Sequence, residues 1–116
     1  MAGFHGWWAC LLALTLLWGC GEDAAEGPVC PSDVNYATLR ATVLEPFCLE
    51  CHSSSRQGAL RQGAPAELDF DVYDRELASR LANAVTSGAM PPPTRPRPSA
   101  EDRALVSTWR QCGFPE

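Results

Sequence analysis

Three stretches of this chain carry apolar residues at helical spacing, and a fourth is an unbroken apolar run. The run, Trp7-Trp8-Ala9-Cys10-Leu11-Leu12-Ala13-Leu14-Thr15-Leu16-Leu17-Trp18, is shorter than the ~20 residues that a bilayer-spanning helix needs. It has the length of the apolar part of a signal peptide. The first periodic stretch follows Ser32 and Asp33, both suited to cap a helix N-terminus. Tyr36, Leu39, Val43 and Leu44 then share one face, with Ala37 and Ala41 nearby. Pro46 should end or kink that helix. The second stretch runs from about Val72 to Val85, where Leu77, Leu81 and Val85 recur every four residues with Tyr73 on the same stripe. The third begins at Ser99. Ser99-Ala100-Glu101-Asp102 has the form of a capping box, although Glu or Gln is preferred where Asp102 stands. Leu105, Val106 and Trp109 make its apolar face, and Gly113 suits the C-terminal cap. Residues 53–67 read as loop, Leu68–Val72 alternates too briefly for a strand, and Thr94-Arg95-Pro96-Arg97-Pro98 cannot be helical. The predicted class is all-α, with about three helices.

The apolar run ends in Leu17-Trp18-Gly19-Cys20, which resembles a bacterial lipobox. The resemblance implies a signal peptide over residues 1–19, cleavage after Gly19, and diacylation of Cys20. The mature chain would then be an exported lipoprotein on the periplasmic face of a bacterial membrane. The segment before the run holds His5 where a Lys or Arg is usual. An ordinary signal peptide and an uncleaved anchor are the alternatives. Residues 20–29 are acidic and lack apolar periodicity, so they read as a flexible tether with a reach of about 25–30 Å. Residues 30–116 remain as the domain.

Composition narrows the function classes. A chain of 116 residues has room for one domain, and a net charge of −5 argues against non-specific binding of nucleic acid. Six Cys suit an oxidising compartment. A domain this short builds a thin core and commonly needs a disulfide, a metal or a cofactor as a staple.

The densest chemistry is Cys48-Leu49-Glu50-Cys51-His52. Cys-x-x-Cys-His is the attachment motif of a c-type haem. The two thiols would form thioethers with the porphyrin vinyl groups, and His52 would supply the proximal nitrogen to the iron. Leu49 and Glu50 read as spacers. Two other readings remain open: a zinc site using Cys30, Cys48, Cys51 and Cys112, and a thioredoxin-like redox pair. The first lacks a second Cys-x-x-Cys and the second lacks its βαβ setting.

The haem reading leaves one axial position to fill. His5 leaves with the signal, so His52 is the only His of the mature chain. All nine basic residues are Arg, which removes Lys as a ligand. Met1 leaves as well, and Met90 is then the only Met. The choice is His52/Met90 coordination or an open iron. Met90 stands in Gly88-Ala89-Met90-Pro91-Pro92-Pro93, a stiff extended setting, and its thioether is a soft donor.

Cys-x-x-Cys-His after one helix, Gly-x-Met-Pro-Pro after a second, and a last helix carrying Trp109 resemble a small single-haem class I cytochrome c. The closest type is the bacterial lipoprotein form seen in planctomycete- and myxobacterial-like sequences. The resemblance covers residues 30–116. It implies three helices packed around one covalent haem c, with the first and last helices crossing so that Tyr36, Leu39 and Val43 meet Leu105 and Trp109. Cys30 and Cys112 are extra to the basic pattern, and that crossing would bring them within reach of a disulfide. Tyr73, Arg95, Arg97 and Trp109 become candidate partners of the haem propionates. The implied function is a membrane-tethered one-electron carrier and not an enzyme, docking briefly with redox proteins that present a basic face. The alternatives are a haem sensor or peroxidase-like protein with an open sixth site, and a non-haem lipoprotein stabilised by zinc or disulfides.

Overall fold

The computed structural model describes residues 27–116. The signal peptide expected over residues 1–19, the expected lipidation site Cys20 and the expected tether as far as residue 26 lie outside the described residues. Those described are helical, with no strand among them, and no helix among them is long and apolar enough to cross a membrane.

The first helical run is composite. It comprises α1 (Tyr36–Leu39), a π-helical turn (Arg40–Leu44) and α2 (Glu45–Phe47). Its N-cap is Asn35, whose side chain accepts from the Thr38 N–H at 2.9 Å. Ser32 and Asp33, expected as caps, are instead inside a turn closed by the Val34 N–H on the Pro31 carbonyl. Pro46 explains the π turn. An α-helix would drive the proline ring into the carbonyl four residues back. The wider turn avoids this: the Glu45 N–H reaches the Arg40 carbonyl, five residues back. Pro46 then sits in the first turn of α2, where a missing N–H costs little. The proline therefore widens the helix and lets it run to Phe47, one residue short of the Cys-x-x-Cys-His motif.

A 3-10 turn (Gly58–Arg61) follows in the long loop. The second long helix, α3 (Arg75–Thr86), starts three residues later than the periodicity predicts. Asp74 is the reason, since its carboxylate accepts from the N–H groups of Glu76 and Leu77 and caps the helix there. Val72 is left 71% exposed, and Tyr73 precedes the helix. The last helix, α4 (Ala100–Gln111), begins with the capping box complete: Asp102 N–H donates to Ser99 Oγ at 3.1 Å, and Ser99 N–H to Asp102 Oδ2 at 2.8 Å. The shorter Asp does reach.

Leu39, Val43, Leu44, Ala82, Val85, Val106 and Trp109 form the centre of one core, each with 1% exposure or less. The most extensive backbone packing between separate helices is α3 on α4. The first helical run joins the same core by side chains, with Tyr36 and Leu105 packed at its margin. The crossing of first and last helices is thus less intimate than expected, and the C-terminal segment makes the connection. Pro115 O accepts from the Tyr36 N–H at 3.0 Å and from Trp109 Nε1 at 2.8 Å. Phe114 O accepts from the Tyr73 hydroxyl at 2.7 Å. Gly113, at φ 77°, turns the chain so that these carbonyls face inward. Cys30 and Cys112 are bonded across this end, with Cα atoms 5.6 Å apart.

The bridge closes a separation of 82 residues. Replacing both cysteines by Ser should cost about 4 kcal/mol in the chain-entropy account. A lower urea midpoint would show this, and peptide mapping under non-reducing conditions should recover the linked peptides.

Candidate functional site: the Cys48–His52 turn and its supporting loop

The last turn of the first helical run feeds directly into the motif. Cys48 and Leu49 N–H both bond the Leu44 carbonyl at 2.8 Å, and Cys51 and His52 N–H both bond the Cys48 carbonyl at 3.1 and 2.9 Å. The motif is therefore a tight hydrogen-bonded turn that holds Cys48, Cys51 and His52 as one unit. Cys48 is buried and Cys51 is half-buried, and both are free thiols. Burial pushes the Cys48 thiol up to about 12, with Cys51 beside it adding to the shift.

His52 is fixed from three directions. Its Nδ1 lies 2.8 Å from the Leu68 carbonyl. A carbonyl only accepts, so Nδ1 carries a proton, and in the neutral ring Nε2 is the nitrogen with the lone pair. The ring lies against Phe70 at a centroid distance of 5.2 Å. The backbone carbonyl of His52 accepts from the Phe70 N–H at 2.9 Å.

The segment that brings Leu68 and Phe70 to His52 is built on Arg61. This residue is 7% exposed, in a stretch that reads as loop by sequence. Its guanidinium donates to four carbonyls, Ser53 and Arg56 from Nη1, Ala64 from Nε and Pro65 from Nη2, at 2.5 to 3.1 Å. Nη2 also lies 2.7 Å from Asp69 Oδ1, so that otherwise unbonded buried oxygen has its charge partner. A second tie joins Ser54 to Asp71, N–H to Oδ1 at 3.0 Å and Oγ to Oδ2 at 2.6 Å. The Ser54 hydroxyl bond holds the Asp71 carboxyl below the usual carboxylate range.

Met90 lies on the loop after α3. Its side chain is 43% exposed, and its N–H bonds the Ala84 carbonyl at 3.0 Å. It lines a concavity of about 270 Å³ with Val85, Thr86, Ser87, Gly88, Pro91, Arg97, Pro98 and Arg103. Cys48, Cys51 and His52 are not among those walls.

The four residues expected at propionates have other partners here. Tyr73 and Trp109 donate to the Phe114 and Pro115 carbonyls. Arg97 Nη2 donates to Gly88 O and Pro91 O, each at 3.1 Å. Arg95 forks onto Glu50, with Nη1 3.1 Å from Oε2. Glu50 is thus more than the spacer it seemed from sequence. The missed signals were an Arg with no nearby acidic partner in sequence, Arg61, and a carboxylate inside the motif itself.

The donor set fits a covalent haem on its chemistry. Two thiols three residues apart precede an imidazole whose Nδ1 is occupied by a carbonyl and whose Nε2 is free. Fixing the distal N–H of a ligating His in this way is the usual outer-shell arrangement. A four-cysteine zinc site does not fit, because Cys30 and Cys112 are bonded to each other. Among the described residues no group of three or more His, Cys, Asp or Glu is disposed to hold a metal ion. Comparison with models of protein families, with curated proteins and with solved structures gives no match.

Two outcomes are expected. Arg61→Met removes one partner of a buried ion pair and strands four carbonyls, and should cost about 3 kcal/mol, whereas Arg80→Met on the exposed side of α3 should stay within about 0.5 kcal/mol; urea titration compares them. In protein prepared without haem, Cys48 stays protonated while the unfolded thiol ionises. Stability should therefore be full below the ordinary thiol value of 9.0 and fall as pH rises toward 12. Alkylation of Cys48 at pH 8 should be slow until urea unfolds the chain.

Proposed function

We propose that this chain is an exported one-electron carrier with a small cytochrome c fold, in which Cys48 and Cys51 hold one haem c and His52 and Met90 are its axial ligands. The observation that carries this reading is the hydrogen bond from His52 Nδ1 to the Leu68 carbonyl at 2.8 Å, directly after a pair of free thiols. A haem bound there would supply a one-electron iron couple.

The protein's own residues do the tuning. The Leu68 carbonyl fixes the His52 tautomer and makes Nε2 a better donor. Phe70, against the His52 ring, contributes an apolar wall that favours the less charged state. The Met90 thioether, held on a short Pro-rich loop, raises the potential relative to a nitrogen ligand. With His52 and Met90 both holding the iron, no position would be left for a substrate, which fits a carrier rather than an enzyme. Contacts with redox partners would be brief and small, under roughly 1,200 Å². The net charge of −5 favours partners with a basic docking face. Acylation at Cys20 would confine the carrier to a periplasmic membrane surface and raise its local concentration there.

One observation favours a second reading, a haem sensor or peroxidase-like protein with an open sixth site. Met90 is 43% exposed and lines a surface concavity whose walls do not include Cys48, Cys51 or His52.

The absorption spectrum of protein exported together with haem-maturation machinery tests both. A carrier gives a low-spin c-type spectrum with a Met–iron charge-transfer band, and that band is lost in Met90→Ala. Rapid, tight carbon monoxide binding to the reduced wild type favours the open site. An intact mass without covalent haem ends both readings.

A further inference from the structure

The two candidate ligand groups, separate along the chain, are connected by one set of side chains. Arg95 lies five residues after Met90, and its guanidinium straddles the carboxylate of Glu50, the residue just before Cys51. Nη1 is 3.3 Å from Oε1 and 3.1 Å from Oε2, and Nη2 is 3.3 Å from Oε1. Gln62 completes the group: its Oε1 accepts from Arg95 Nη2, and its Nε2 donates to Glu50 Oε1 at 3.4 Å. Gln62 closes the 3-10 turn that contains Arg61. Three segments 12, 33 and 45 residues apart thus meet at one charge pair.

The neighbouring Arg97 has a different job. It bonds Gly88 O and Pro91 O, on either side of Met90, and so shapes the loop from within. Nothing in that internal tie says where the loop sits on the rest of the protein. Arg95 does, because its partner belongs to the Cys48–His52 turn. Bidentate Arg–carboxylate geometry fixes orientation as well as distance, and Arg95 is only 32% exposed.

We infer that Glu50 and Arg95 are positioning residues, a clasp that docks the Met90 loop against the Cys-x-x-Cys-His turn and thereby sets how firmly Met90 holds the sixth position. This inference rests on the haem reading above. Glu50 touches neither thiol nor imidazole in this role; it acts through Arg95 on the loop. The pair is partly exposed, so its worth is modest and falls with salt.

The test uses the covalent holoprotein. Imidazole is titrated as a competitor for the sixth position, and loss of the Met–iron charge-transfer band is followed. Glu50→Gln and Arg95→Gln should each lower the half-displacement concentration about fivefold at low salt. The difference should shrink at about 1 M salt, where screening acts within about 3 Å. The charge-swapped double variant, Glu50→Arg with Arg95→Glu, should recover most of the wild-type value. Glu45→Gln breaks a comparable exposed ion pair, Arg40–Glu45 at 3.0 Å, away from the Met90 loop, and should leave displacement unchanged. Wild-type displacement in both single clasp variants overturns the inference, as does an equal effect in Glu45→Gln. A wild-type protein with no covalent haem, or with no Met–iron band, fails the underlying reading instead, before any variant is compared.

Discussion

An arginine buried to 7% exposure has to have its guanidinium met by acceptors on nearly every side, and that constraint on Arg61 shapes the part of this molecule around the Cys48–His52 turn. Five donor contacts draw the loop from Ser53 to Asp69 into a closed knot around one side chain. The loop has no helix longer than one 3-10 turn and little apolar area, so burial alone would not order it. What the knot delivers is a carbonyl at a defined place. Leu68 O meets His52 Nδ1, and Phe70 follows to cover the ring. The chemistry proposed for His52 therefore depends on a residue nine positions further along that never touches it.

A different economy holds the opposite end. The core is small, centred on Trp109 and a few aliphatic residues from three helical elements. Its margin is closed by the C-terminal tail, where the Phe114 and Pro115 carbonyls take three donors from Tyr36, Tyr73 and Trp109. The Cys30–Cys112 bond lies beside them. Two of the aromatic side chains that sequence reasoning would aim at a cofactor are occupied here in closing the fold. Their polar tips are satisfied by backbone because a buried hydroxyl or indole N–H needs an acceptor wherever it lies.

Between these ends, the motif turn takes its direction from Pro46. By widening the preceding helix instead of ending it, the proline lets Cys48 and Leu49 share the Leu44 carbonyl. The turn that follows is thereby continuous with a helix anchored in the core through Leu39, Val43 and Leu44. The proposed electron-transfer centre would stand on a rigid base on the His52 side and on a Pro-rich loop on the Met90 side. The Glu50–Arg95 pair is the contact that relates the two.

Local chemistry by itself determined much of this protein. The helical class, the three apolar faces, the Ser99 cap, the Cys-x-x-Cys-His motif and the choice between Met90 and an open position opposite the proposed His52 ligand are all legible from residue types and spacing, because each depends on neighbours a few positions apart or on simple absence. Tertiary structure alone decided the rest. Asn35 rather than Ser32 caps the first helix because a turn at Pro31–Val34 delays it. Arg61 is buried because carbonyls from a 13-residue span of loop converge on it. Leu68 is the partner of His52 because that knot places it there. Glu50, an apparent spacer, finds Arg95 across 45 residues of chain. Such contacts carry no periodicity and no local signature. They exist only once the chain has closed on itself, since a guanidinium or a carboxylate is indifferent to sequence distance and answers only to proximity in space.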